Sequence, residues 1–457
     1  MKKVFDRPLR FSLALVVGLG LSAMSFAYGQ TEMERPRLML SDAVRLALEV
    51  YPSVRAARAG EEAAFAAVGQ ATAARWPRLS TSANLTHFEE PMLVRPLHRL
   101  DISAVEFDET LIQGNVGLAW TLYDGGARGA RIRGARAEAA STRAGRVATE
   151  MMLTAQVAQT YLEVLTAQGV LEAEDRRIEV LAAERRRVEQ LLEQGRAARV
   201  ELLRVDAALA QAEAERVAKA ARLDLAERDL ARRLGIATEG TRAALLVPVH
   251  LRERASLEER SLLFERAQRA SPELEGTRHR LAAAEADRRL AVSGWIPRLD
   301  FNSAYLGYSS PGKDVTLEWQ TGVSFSWPLF TAGARSSTVR TATAGTELAR
   351  QELRLAELML EAALDRALSD ARQTQALVDA IARAVLHQSE VARIELLSLE
   401  AGAGTQTDYL RAEAELLRIR SALIEAQHAE VAASIELARV VGILAPDWLN
   451  SNLENTR

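Results

Sequence analysis

The sequence predicts a mainly helical fold of two repeats, each joining a β-hairpin to a long helical hairpin. Three observations carry this expectation. The heptapeptide LYDGGAR at residues 122–128 returns 207 positions later as LFTAGAR at 329–335. Proline is absent between Pro96 and Pro248 and again between Pro328 and Pro446, so two stretches of more than a hundred residues carry no helix breaker. The composition, 48% hydrophobic but only 5% aromatic and 26% charged, is the balance of long helices rather than of a mixed α/β enzyme.

Residues 1–29 read as a cleaved secretory signal. A basic start is followed by thirteen apolar or small residues from Phe11, with Ala27 or Gly29 suited to cleavage. That run is shorter than the ~20 residues a membrane-spanning helix needs. The chain contains no cysteine, which excludes disulfides and a thiol-linked lipid at a new N-terminus. The fold itself must then supply any attachment to a membrane. A net charge of −3 gives no support to nucleic-acid binding, and the arginines, scattered among glutamates along the helices, read as solvated helix faces.

Beyond the signal, the repeats span about 38–236 and 256–443, with a linker at 237–255 and a tail at 444–457. Tyr51-Pro52 is answered by Ser271-Pro272, WPRL at 76–79 by WIPRL at 295–299, Gly195 by Gly402, and RLGI at 233–236 by VVGI at 440–443. Long helices are expected at about 127–193 and 334–400, with return helices at about 198–235 and 406–441. In the first repeat Ile178, Leu181, Val188 and Leu192 follow helical spacing, and Leu202, Leu209, Leu223 and Leu230 fall on sevens with Arg216 as the missing beat. An uninterrupted helix from Ala127 to Glu193 is a rod of roughly 100 Å at ~1.5 Å per residue. Compact domains do not use such rods.

The strands precede the rods. Residues 316–330 place Leu317, Trp319, Val323, Phe325, Trp327 and Leu329 on one face, with Glu318, Gln320, Ser324 and Ser326 on the other. Residues 111–123 alternate likewise, with Ile112, Val116, Leu118, Trp120 and Leu122 against Gln113, Asn115 and Ala119. Weaker partners at about 79–88 and 299–308 complete two hairpins. The first turns through a long charged loop near 90–109, the second through a Pro-Gly turn at 309–314. Five of the six tryptophans lie in or beside these strands, as suits a membrane interface. Four strands of ~10 residues are long enough to cross a bilayer. Four cannot close a barrel, and lipid tolerates no open sheet edge, so the barrel is expected to be shared between subunits.

These features together resemble the TolC-type outer-membrane efflux proteins, the outer-membrane factors of tripartite export systems. The resemblance runs from about Leu40 to Leu444. It is carried by LSDAVRLALEVYPSV at 40–54, the paired WPRL and WIPRL, the paired LYDGGAR and LFTAGAR, and the tips EQGRAARVELL and EAGAGTQTDYL. It implies a homotrimer in which three subunits, with four strands each, form one barrel continuous with a helical tunnel. The barrel would lie in the bacterial outer membrane and the tunnel in the periplasm. Gly126 and Gly333 would mark the change from membrane strand to rod, and Trp120, Trp319, Val323, Phe325 and Trp327 would face lipid or its interface. The tip turns at Gly195, Gly402 and Gly404 would contact a periplasmic adaptor, a membrane fusion protein, which links the duct to an inner-membrane transporter.

The same resemblance places acidic residues around the periplasmic entrance. Asp408 matches the first of them, six residues beyond Gly402, and Arg411 stands where a second acid is expected. Glu201 and Arg204 repeat the arrangement after Gly195. Each acid-x-x-Arg pair lies on one helical face, which predicts partial neutralisation within its own helix. The alternative for Asp408 is a helix cap formed with Thr405. No catalytic chemistry is expected: there is no cysteine, and His87, His98, His250, His279, His387 and His428 lack metal-ligand spacing, so neither cofactor nor metal is assigned. The function implied is a passive exit duct, with small-molecule efflux favoured over secretion of polypeptides (type I) or efflux of metals. A periplasmic coiled-coil adaptor is the lower-ranked alternative.

Overall fold

The structure, a computed structural model, describes residues 37–97, 105–243, 245–254 and 259–455. The segment read as an export signal and His98 lie outside the described residues. In chain order the elements are β1 (Arg37–Leu38), α1 (Leu40–Val50), α2 (Pro52–Ala73), β2 (Arg78–Leu93), β3 (Phe107–Tyr123), α3 (Ala127–Glu193), α4 (Arg199–Leu234), α5 (Thr238–Ala243), β4 (Leu245–Leu246) and β5 (Val249–Leu251). The second half follows with α6 (Arg260–Ala270), α7 (Pro272–Ser293), β6 (Arg298–Ser309), β7 (Thr316–Ser326), α8 (Ala334–Glu400), α9 (Gln406–Val441), α10 (Pro446–Asn452) and β8 (Leu453–Asn455).

The internal duplication is metrical. α2 and α7 have 22 residues each, α3 and α8 have 67, and α4 and α9 have 36. Both rods start at a left-handed glycine, Gly126 at φ 89° and Gly333 at φ 83°. At the first start Asp124 closes the cap: its carboxylate accepts the Gly126 and Arg128 amide N–H groups at 3.2 and 2.8 Å and Arg128 Nε at 3.1 Å. The second start has Thr331 in place of the acid, and Ala332 takes a positive φ of 47° where the first has Gly125. Gly125 permits no such exchange, since a Cβ there would lie 2.6 Å from Ile296 Cβ.

Both return helices end on left-handed glycines packed against the joint between two shorter helices. Gly235 meets Val50 at the α1–α2 joint, and Gly442 meets Ala270 and Ser271 at the α6–α7 joint. Pro52 and Pro272 open α2 and α7, where the missing amide hydrogen is harmless. Around these joints lies the main core. Val44, Ala47 and Val54 pack with Val157, Tyr161 and Val164 of α3, Leu230 and Leu234 of α4, and Ile435 of α9. Tyr161 is fully buried; its hydroxyl lies 2.7 Å from the Leu38 carbonyl and 2.8 Å from that of Val247, and it accepts the Val247 N–H at 2.8 Å. That contact pins β1 and the 237–255 segment to the middle of the first rod.

Four expectations need correction. The 237–255 segment and the 444–457 tail are not bare connections: β4 pairs with β1 in parallel, and β5 pairs with β8 antiparallel, making a belt of two short sheets packed on the main core. The last strand stops at Ser326 rather than 330, because Pro328 has no amide hydrogen for the ladder and the Trp327 indole N–H turns to the Trp295 carbonyl at 3.1 Å. The first hairpin is longer than 79–88 and 111–123; beyond a bulge after His87, Met92 and Leu93 pair with Asp108 and Phe107, which shortens the charged loop. The charged rods are also not solvated throughout. Glu174 on α3 is fully buried, held by Arg177 at 3.2 Å and by Lys219 of α4, and Glu184 is buried beside Arg187 at 2.7 Å. The opposite partner is what makes such burial bearable.

Candidate functional site

β2, β3, β6 and β7 form one antiparallel sheet in that order, so the two hairpins sit side by side and β2 and β7 are its edges. The second hairpin closes through Gly312 at φ 76°, with the Lys313 amide donating to the Ser310 carbonyl at 3.0 Å. The registers assign every side chain to a face. Leu79 pairs with Leu118, Leu85 with Ile112, Trp120 with Phe301, Val116 with Tyr305, Tyr305 with Trp319, Phe301 with Val323 and Leu299 with Phe325. One surface of the sheet is therefore a mainly apolar wall, interrupted by Thr81, Ser303 and Thr321. Its opposite surface carries Ser80, Ser82 and Asn84, then Gln113, Asn115 and Thr121, then Asp300 and Asn302, then Gln320, Ser324 and Ser326. Polar partners join across it: Asn115 donates to Ser82 at 2.8 Å, and Thr121 to Asp300 at 2.7 Å.

Trp319, Val323 and Phe325 stand on the apolar wall, each more than half exposed in the single chain. Trp120 is on the same wall at its base, and its indole N–H donates to the Arg75 carbonyl at 2.9 Å. Trp327 lies just past the strand and does the equivalent to Trp295, whose ring in turn carries the Arg335 guanidinium 4.7 Å from its centroid. Both tryptophans thus tie the sheet to the end of the preceding helix, a role the alternation pattern alone does not reveal.

At the far ends of the rods, Gly195 and Gly402 adopt φ 67° and 73° with open space where a Cβ would project. Gly404 is the sterically tight one: a Cβ there would sit 3.0 Å from Ser398 Cβ and 3.2 Å from the Leu399 amide nitrogen. Past it, Thr405 caps α9. Its hydroxyl accepts the Asp408 amide at 3.2 Å and donates to the Asp408 carboxylate at 2.5 Å.

The tips depart from the expected acid-x-x-Arg pairing. Among the described residues no ion pair joins Asp408 to Arg411 or Glu201 to Arg204. Arg411 lies along a groove of about 830 Å³ between α3, α4 and α9, with Arg177, Lys219 and Arg222. Arg204 reaches across to the other hairpin and donates to Thr407 Oγ1 at 2.8 Å. Arg187 does likewise, donating to Gln406 Oε1 at 3.2 Å while it pairs with Glu184. Glu201 sits in the first turn of α4, where the helix dipole favours an acid. The two tips are therefore latched to each other by arginines of the first hairpin, a contact between residues some two hundred positions apart for which the sequence holds no local signal.

The histidines also include a surprise. His428 of α9 is half-buried with Nδ1 2.7 Å from Thr166 Oγ1, and desolvation, helped by nearby His250, pushes its imidazole down to about 4. The lowered value keeps it neutral at ordinary pH. Among the described residues no group of His, Cys, Asp and Glu side chains is arranged to hold a metal, and no helix is long and apolar enough to cross a membrane.

A sheet with one apolar and one polar face, continuous with two helical hairpins whose longer arms of 67 residues run roughly 100 Å, defines a channel of the TolC-like class. The chain belongs to the family described as Outer membrane efflux protein, which matches residues 43–236 and 263–443. It is 30% identical over 419 residues to Protein CyaE of Bordetella pertussis, covering 89% of this chain and 83% of that protein. Its fold is similar to that of the outer membrane protein VceC from Vibrio cholerae, with a TM-score of 0.75 at 19% identity, over 88% of this chain and 96% of that one. The Campylobacter jejuni CmeC outer membrane channel superposes equally well, with a TM-score of 0.75 at 15% identity, over 90% of this chain and 88% of that one.

Proposed function

We propose that this chain is the exit duct of a tripartite export system, a homotrimer whose pooled strands cross the outer membrane and whose rods form a periplasmic tunnel. The observation that carries the reading is the two-faced sheet with both edges unpaired, β2 and β7, because neither edge is tolerable in lipid until a neighbouring copy covers it. A second feature agrees with assembly: α8 leaves Leu348, Leu355, Leu358, Met359, Leu377 and Leu386 exposed along its length. In this reading the apolar wall meets lipid, the polar face lines the lumen, and transport energy comes from an inner-membrane pump through an adaptor that docks on the tips at Gly195, Gly402 and Gly404. Small molecules are the favoured cargo. Replacing both tip turns, 194–198 and 401–405, by unrelated turns of equal length is expected to leave trimers intact and abolish export, with loss of the adaptor from crosslinked complexes. Export that survives would place the docking surface elsewhere.

The same reading makes the arginine latch part of the gate. Single hydrogen bonds of this kind are each worth only about 0.5–1.5 kcal/mol, so they bias the entrance rather than lock it. Arg204→Ala with Gln406→Ala, which cuts both links and leaves Arg187 paired with Glu184, is expected to raise single-channel conductance in planar bilayers. Asp408→Asn, which keeps the shape of the cap, is expected to change conductance less. Identical conductance of the double variant and the parent protein would rule out the latch as the closing element.

A further inference from the structure

Where the polar face of the sheet runs into the rods, a concavity of about 1780 Å³ is lined by the ends of α2 and α7, the bases of the strands and the first turns of α3 and α8. Its charged residues are unequal. Arg78, Arg128, Arg131, Arg298 and Arg335 face Asp124, Asp287 and Asp300. Three of the arginines are engaged: Arg128 with Asp124 at 3.1 Å, Arg298 with Asp300 at 2.6 Å, and Arg335 stacked on Trp295. Arg78 and Arg131 are exposed and, among the described residues, have no ion pair.

Two further observations sharpen the asymmetry. Above this level the lumen-side positions of the four strands from Ser80 to Thr86, Gln113 to Thr121, Asn302 to Tyr308 and Thr316 to Ser326 hold one charged residue, Glu318. Along these strand positions the positive charge thus lies only at the base. The first turn of α8 carries no acid and its N-cap makes no side-chain cap hydrogen bond, so nothing there offsets the positive end of the helix dipole beside Arg335 and Ser337, which line the concavity. Repeated around a trimer, the excess becomes a ring. Low-dielectric walls around water focus the field of such a ring, and within a Debye length of ~8 Å at physiological salt it acts on whatever passes.

We infer that the base of the barrel is an anion-reading collar, built on Arg78 and Arg131, which favours carboxylate-bearing cargo over cationic cargo. The inference rests on the proposed duct, because it needs the polar face to line the lumen. Its chemistry is non-covalent: guanidinium groups accept carboxylates as paired hydrogen-bond donors, and exposure leaves each contact weak enough to release.

The test uses the full-length protein inserted in planar bilayers, with poly-L-glutamate or poly-L-lysine of equal length added on the barrel side. Polyglutamate is expected to block the current at a concentration on the order of 10-fold lower than polylysine, the low end of the range for clefts of one sign. Arg78→Glu with Arg131→Glu is expected to reverse the order, Arg131→Lys to keep it, and 1 M salt, where the Debye length is ~3 Å, to erase it. Equal block by both polymers in the parent protein overturns the collar, as does an order that survives the double substitution or 1 M salt. A protein that inserts no pores at all overturns the duct instead.

Discussion

Val323→Arg is expected to abolish the heat-modifiable oligomer, whereas Ser324→Arg, one residue further on, assembles. Val323 faces Phe301 on the apolar wall, while Ser324 faces Asp300 on the polar side. A cation held on the lipid face costs about 2–4 kcal/mol near mid-bilayer, and assembly repeats that cost in every subunit. At position 324 the new guanidinium stands directly across from a carboxylate, where an opposite-charge pair is mildly favourable. Semi-native electrophoresis of the two variants, unheated and heated, is the measurement. Equal behaviour would refute the assignment of faces, and with it the lumen in which the collar is placed.

Gly442→Ala is expected to be the most destabilising small substitution in the helical region. The residue has φ 83°, and a Cβ there would lie 2.5 Å from the Ala270 carbonyl oxygen and 2.6 Å from its carbon. Those atoms are backbone at the α6–α7 joint and cannot swing aside. The left-handed conformation costs an alanine roughly 1–2 kcal/mol, and forced packing adds about 1–3 kcal/mol. Gly402→Ala makes the comparison sharp, because φ is also positive at 73° but nothing lies within 4 Å of the added carbon. It should lose only the conformational part. Guanidinium denaturation of the purified protein in detergent separates the two, and midpoints shifted equally would show that the α6–α7 contact does not govern stability.

The mainly helical, two-repeat architecture was legible because its signals are local. Proline-free stretches bounded by left-handed glycines leave a chain of this composition little choice but a rod, and period-two alternation around Trp120 and Trp319 marks strands with two unlike faces. The misses among the charged residues share one physical cause. An arginine beside a glutamate looks the same in sequence whether it points to water or to a neighbouring helix, so Glu174 and Glu184 passed for solvated charges, and Arg204 was matched with the acid on its own helix rather than with Thr407. The belt formed by β1, β4, β5 and β8 was missed for a related reason: strands of two or three residues carry no period to detect, and their partners lie some two hundred residues away. Of the tips, the glycine turns were visible in sequence. The latch between them was not.

The equality of the two 67-residue arms has a consequence for how this chain can change. A helix advances ~1.5 Å and turns about 100° with each residue, so one residue added to a single arm would lift its tip above its twin and swing every side chain near the end by more than a quarter circle. Arg204 would then point away from Thr407, and the rim offered to a docking partner would no longer be flush. Length in this architecture behaves like the tooth count of meshed gears: it can be altered only in both arms together, and in steps that bring the teeth back into phase.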